Sequence, residues 1–313
     1  MRRDIEFESA GTTVRGWLYL PDGAEGPFPT VVMAGGWCYV KEIVQPHYAE
    51  VFAENGFAAV LFDYRNFGES DGDRRQHIDP NLQIADYRNA ISYAEALDEV
   101  DEDRIGVWGL SYSGGHSLVL AAIDARVKCA VSQIPVVDGY LNVRLNNGTV
   151  NFRRLQKAIL DARRRRYLTG QETFVPHFTL DTSQEISAWP FPEGHQVFLT
   201  FQQTVAPNYD FNATLESVDL LMSYNVKPFL PRIVNTPTLV IVAEHDDITL
   251  WDEEIGAYNA IPTAKKKLVV IDKSDHLALY SNQSLLMQCA TAATDWFLEQ
   301  LVPLGKATAG AGN

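Results

Sequence analysis

The chain is predicted to be an α/β protein: a doubly wound, mainly parallel sheet with helices on both faces and a helical cap insertion. Three observations predict it. Short, continuously apolar, β-branched runs alternate with helical stretches as far as Asp138, and such runs fit strands covered on both faces. The rhythm breaks between about Tyr140 and Pro231. It then resumes from Thr236 to the last long helix, and βαβα alternation of this kind builds a parallel sheet.

The elements follow in order. IEFES and TTVRGWLYL alternate apolar and polar residues on either side of Ala10-Gly11 and read as a β-hairpin. PDGAEGPFP, rich in Pro and Gly, is a surface loop. TVVMA is the first buried strand, followed by a helix around HYAEVFAEN that Gly56 stops. FAAVLFDY, RIGVWG and VKCAVSQIP are the next buried strands, separated by helices over IADYRNAISYAEAL and SGGHSLVLAAI. The break contains a polar, Arg-rich helix (Asn151 to Leu168), a Pro- and aromatic-rich middle (FVPHFTL, AWPFPEGH) and a helical piece near TLESVDLLMSY. TPTLVIVAE is again a buried strand, EEIGAYNAI a helix, KKLVVID a buried strand and SLLMQCATAATDWFLEQL an amphipathic helix. The expected organisation is a core of residues 1–139 and 232–302, a cap insertion at 140–231 and a flexible tail at 303–313. A long excursion inside a compact domain is usually functional, and chain ends fray.

With 313 residues, 46% hydrophobic and 21% charged, the chain has the balance of a folded protein with a sizeable core. Its net charge of −14 repels phosphate backbones and anionic headgroups, so neither nucleic acid nor membrane is an expected partner. The basic run Arg163 to Arg166 reads as a solvated helix face. Cys38, Cys129 and Cys289 are far apart and odd in number, with no metal or redox spacing, which fits a reducing compartment. MRRDIEFESA lacks an apolar signal core, and no uninterrupted apolar run approaches about 18 residues. A cytoplasmic protein without metal or cofactor is expected, with a homodimer left open.

The strand RIGVW runs into Gly109-Leu110-Ser111-Tyr112-Ser113-Gly114-Gly115, and a helix starts at once. Strand, tight turn and helix form the setting of a nucleophile elbow. A serine at the apex projects its hydroxyl clear of the backbone, while strand and helix approach so closely that only small residues flank it. The helix N-terminus favours negative charge on the reacting oxygen. Ser111 is the expected nucleophile; Ser113, in the frame Ser111-Tyr112-Ser113-Gly114-Gly115, is its rival.

A serine hydroxyl needs a base, and the base needs an orienting carboxylate. In this architecture the order is Ser, then Asp or Glu, then His. Glu244-His245-Asp246-Asp247 follows LVIVA, and Asp275-His276 follows KLVVID. His276 is the expected base and Asp246 the expected acid, with Asp247, Glu244 and Asp275 as rivals. The remaining histidines read as structural or solvated. For the oxyanion, backbone N–H donors are expected from Tyr112 and from Trp37 in Ala34-Gly35-Gly36-Trp37, where glycines allow close approach.

These residues resemble the α/β-hydrolase superfamily, most closely dienelactone hydrolases and S15/S33-type serine peptidases. NFGESDGDRRQHIDP, GLSYSGG and VAEHDDIT are similar to the polyketide transferase and hydrolase group. The resemblance implies an α/β-hydrolase fold with Ser111, Asp246 and His276 as triad, and structural roles for the arginine and glycines of Asp63–Gly72. Two departures stand out: Gly35 where a His is common, and Leu250 where a Pro often lies. The expected activity is hydrolysis of an ester, thioester or lactone on a partly apolar small-molecule acyl substrate. Acyl transfer with the same triad, peptidase activity and a non-catalytic binding module are the alternatives. Phe174, Phe178, Trp189, Phe191, Phe198 and Phe201 either shape an acyl pocket or form the insertion's own core.

Overall fold

The computed structural model describes residues 1–302; the tail expected at 303–313 lies outside the described residues. In chain order the elements are β1 (Arg2–Ser9), β2 (Thr12–Tyr19), β3 (Phe28–Ala34), α1 (Gln45–Glu54), β4 (Ala58–Phe62), α2 (Pro80–Glu95) and β5 (Val100–Leu110). They continue as α3 (Tyr112–Ile123), β6 (Cys129–Gln133), α4 (Gly139–Thr169), β7 (Phe174–Pro176), α5 (Pro192–Thr204), β8 (Asn212–Thr214) and α6 (Leu215–Ser223). After β9 (Thr238–Ala243), α7 (Trp251–Ala260), β10 (Lys266–Ile271) and α8 (Ala278–Ser281), the chain ends in α9 (Gln283–Leu301).

Eight strands form one sheet in the order β1-β2-β4-β3-β5-β6-β9-β10. The β1–β2 and β2–β4 pairs are antiparallel, and every later pair is parallel. The step from β3 to β4 runs one way along the sheet and the steps from β4 to β10 run the other. Right-handed crossovers therefore put α1 on the face opposite α2 and α3. Helix α9 returns to the α1 face, where the Phe297 ring meets Phe52 and Phe57 at 5.5 and 6.1 Å. β3, β4, β5, β6 and β9 consist of residues mostly or wholly buried, as their apolar runs require.

One expectation needs correction. KKLVVID is not a buried strand: β10 is the last strand of the sheet, and only Ile271 in it is buried. Its two lysines fit an edge, where charge discourages further pairing. Helix α5, for which the sequence reading named no element, starts at Pro192, a first-turn position where a missing N–H costs nothing.

The Asp63–Gly72 loop is pinned from below. Arg65 lies against Asp86 of α2 with Nε–O distances of 2.9 and 3.0 Å and also donates to the Ser9 carbonyl. Asp86 is fully buried. Deleting one partner of such a pair leaves an uncompensated charge, so Asp86→Ala is expected to lower stability by about 3–5 kcal/mol, read from the urea midpoint.

Candidate active site

The parallel strands deliver their following loops to one edge of the sheet, where open α/β folds bind ligands. Ser111 follows β5, Asp246 follows β9, His276 follows β10 and Trp37 follows β3. Ser111 has φ 58° and ψ −114°, a left-handed conformation that an L-residue adopts only under constraint. The constraint is visible: Ser111 N donates to the Gln133 carbonyl at 2.9 Å, and its own carbonyl accepts from Val136 N at 3.1 Å. A Cβ at Gly109 would stand 1.9 Å from the Ser113 carbonyl oxygen, so glycine is required there.

Ser113 is fully buried, and its hydroxyl donates to the Gly35 carbonyl while lying 2.7 Å from the Tyr64 hydroxyl. Both of its hydrogen-bonding directions are occupied away from the cavity. Ser111 instead lines the cavity.

Asp246 is oriented by its own loop. Oδ1 accepts from Ile248 N at 3.0 Å and Thr249 N at 2.8 Å, which leaves Oδ2 for His276 Nδ1 at 2.7 Å. Asp247 and Asp275 are exposed, and Glu244 accepts from the Lys273 amide. The structure thus brings Asp246, and none of its rivals, to His276. Leu250 has φ 68°, a value closed to proline, which accounts for its departure from the family pattern.

Behind this pair, Thr249 Oγ1 donates to Glu254 Oε1 at 2.8 Å and lies 3.1 Å from His276 Nδ1. Glu254 is fully buried, and burial, reinforced by the Asp246 charge, pushes its carboxyl well above the usual range. A carboxyl raised in this way stabilises the fold fully below its unfolded value near 4.5, and that contribution is lost as pH rises. Glu254→Gln removes the titration. Urea midpoints of the variant should therefore gain on wild type as pH increases from about 5 to about 8.

The loop after β3 lies directly on Ser111. A Cβ at Gly36 would come within 3.1 Å of Ser111 Cβ. The backbone N–H groups of Trp37 and Tyr112 donate to no protein acceptor among the described residues. The Trp37 indole packs edge-on against Tyr112 and Trp189, at 5.2 and 6.3 Å, and lines the cavity.

Four residues of the insertion complete the wall: His177, Phe178, Trp189 and Phe198. Of the six aromatics singled out in the sequence, these last three face the cavity, whereas Phe174 is exposed and Phe201 lies outside it. His177, read from the sequence as structural or solvated, is buried in the cavity wall. Its Nδ1 sits 2.7 Å from the Tyr209 hydroxyl, and burial, with His276 nearby, holds it well below the usual histidine range as neutral imidazole. His116, behind the elbow, is pushed down to about 3 by burial and sits 3.1 Å from Gln83 Oε1 and 2.9 Å from the Tyr224 hydroxyl. That is a structural role, as expected.

Tyr280 was not anticipated. It is buried, and its hydroxyl lies 3.2 Å from His276 Nε2, beside the hydroxyls of Ser111 and Tyr39. Its spacing of one helical turn from His276 was the available signal. Ser111 makes no direct hydrogen bond to His276; the phenol holds that nitrogen. The cavity at Ser111 has a volume of about 10 Å³, room for roughly one water.

No helix among the described residues is long and apolar enough to cross a membrane, and Cys38, Cys129 and Cys289 are free and buried. Comparison with known proteins places the chain among relatives. The X-Pro dipeptidyl-peptidase (S15 family) model matches residues 10–278. The chain is 30% identical over 280 residues to the thiohydrolase aneE of Aspergillus aculeatus, across 87% of this chain and 86% of that protein. It is 29% identical over 275 residues to the acyltransferase drtE of Aspergillus calidoustus, across 84% of each. Among solved structures, DcsB in complex with its substrate analogue matches with a TM-score of 0.82 at 25% identity, covering 97% of this chain and 100% of that one. The likeness read from GLSYSGG and its companion motifs is borne out.

Proposed function

The chain belongs to the X-Pro dipeptidyl-peptidase (S15) family on an α/β-hydrolase fold, and we propose that it cleaves an ester, thioester or lactone through an acyl-Ser111 intermediate. The observation that carries this reading is the strained Ser111 at the β5–α3 turn, in an apolar chamber that also holds His276 bonded to Asp246.

The steps follow from the residues. Ser111 Oγ attacks the acyl carbon and its proton passes to His276 Nε2, while Asp246 holds Nδ1–H and stabilises the imidazolium. The carbonyl oxygen becomes an oxyanion facing the N–H groups of Trp37 and Tyr112. The bond to the leaving oxygen or sulfur breaks, and that atom takes the proton from His276. Water then repeats the sequence on the acyl-enzyme, releasing the acid and restoring Ser111. Residues 140–231 act as a cap, excluding water with Phe178, Trp189 and Phe198.

The chamber favours esters over dipeptides. Among the described residues lining it, none is Asp or Glu, so nothing there pairs with the charged amine of a peptide N-terminus. Acyl transfer is the second reading, favoured by the acyltransferase relative. It uses the same first half-reaction, with an alcohol or amine in place of water.

A fluorophosphonate followed by intact mass is the test. A single adduct on the wild type, absent from Ser111→Ala, is expected. An adduct that survives in Ser111→Ala overturns the assignment in favour of Ser113. Product analysis with added alcohols or amines then separates hydrolysis from transfer.

A further inference from the structure

On the reading that Ser111 is the acylated residue, we propose that an apolar groove beside α5 is the subsite for a linear aliphatic acyl chain, and that Tyr280 is the gate joining it to Ser111. The chamber alone does not admit a substrate, since its volume of about 10 Å³ is that of a single water. Next to it lies a groove of about 480 Å³, within the size range of small-molecule sites.

The two spaces share one residue, Tyr280. Helix α5 forms the rest of the partition. Phe198 faces the chamber, while Val197 and Phe201, one turn apart, face the groove with Val205 beyond them. Val44, Pro46 and Leu286 close the opposite side. The Tyr280 ring stands 5.7 Å from Tyr39 and 6.0 Å from Phe198, so the wall is aromatic and one ring thick.

The occupant follows from the lining. The groove is a stripe of aliphatic and aromatic side chains that ends against Tyr280, on whose far side lies Ser111. Polar groups such as Glu42, Gln196 and Gln283 also line it. An extended hydrocarbon fits this arrangement with its carbonyl at Ser111. The gate has a second effect. The Tyr280 hydroxyl occupies His276 Nε2, the atom that must receive the serine proton. Rotating the phenol aside merges groove with chamber and frees that nitrogen in one movement. Acyl-chain entry and assembly of the proton relay are thereby coupled. Tyr280 rides on a helix of four residues between the His276 loop and α9.

The test uses p-nitrophenyl acetate, butanoate, hexanoate and octanoate, in which only the acyl part changes. For the wild type, kcat/KM should rise roughly fourfold per methylene over the first additions, the scale of burying one CH₂. Val197→Trp and Thr200→Trp fill the groove and should each cut the octanoate-to-acetate ratio by about tenfold. Tyr280→Phe keeps the ring but frees His276 and should speed fluorophosphonate labelling of Ser111. Melting curves report folding of each variant. Equal rates for all four esters, or a ratio unchanged in both folded tryptophan variants, overturn the subsite. Slower labelling of folded Tyr280→Phe overturns the gate. Absence of labelling on the wild type is the separate result that removes the Ser111 reading itself.

Discussion

Ser111→Ala lowers kcat on the best ester by about 10⁶-fold, the scale on which a concerted triad loses its nucleophile, and leaves the melting temperature close to that of the wild type. Ser111→Gly abolishes activity equally but raises stability. The difference isolates strain. Alanine keeps the Cβ, and with it the cost of φ 58°, whereas glycine adopts that region freely. Relief of about 1 kcal/mol is the expected gain, read as a higher urea midpoint for Ser111→Gly than for Ser111→Ala. Equal midpoints would mean that the turn carries no strain at this residue. The turn holds its shape because Gln133 and Val136 clamp the serine backbone and because Gly109 leaves room for the Ser113 carbonyl. Stability is thus given up at one residue so that its hydroxyl points into the cavity.

The same locality explains what the sequence revealed. The elbow is a five-residue steric problem, and Gly109, Ser111 and Ser113 solve it within the stretch where it is posed. Asp246 and His276 were legible because a doubly wound sheet delivers the loops after its later strands to the same edge. The edge position of β10 was not legible, because its run reads like that of β9 and only strand order decides which of them has a neighbour on both sides. Helix α5 was hidden because Pro192 reads as a breaker until its place in the first turn is known. His177 reaches the chamber from the insertion through contacts distant in sequence, with Tyr209 and Phe198. Glu254 is buried by α7 against Asp246, and a glutamate in an exposed-looking helical pattern gives no warning of that. Local sterics and strand order are written in short segments. Tertiary walls are not.

Asp246→Asn is expected to lower kcat by about 10⁴-fold with little change in fold. The reason lies in the bonds already made. Oδ1 of residue 246 accepts two backbone N–H groups, from Ile248 and Thr249, and only an oxygen serves there. An asparagine must therefore keep its carbonyl oxygen in that place and turn its NH₂ toward His276 Nδ1, which sits 2.7 Å from Oδ2 in the wild type. Nδ1 then has to accept, the ring proton moves to Nε2, and Nε2 no longer takes the proton of Ser111. The Thr249 hydroxyl, whose own proton goes to Glu254, offers an Nδ1–H only a neutral and longer acceptor, at 3.1 Å, in place of the carboxylate. Fluorophosphonate labelling should slow in parallel with turnover, since both need the same base, while the melting temperature stays near that of the wild type. A loss below about tenfold would show that Asp246 does not set the tautomer, and would move the orienting role to another acceptor at Nδ1.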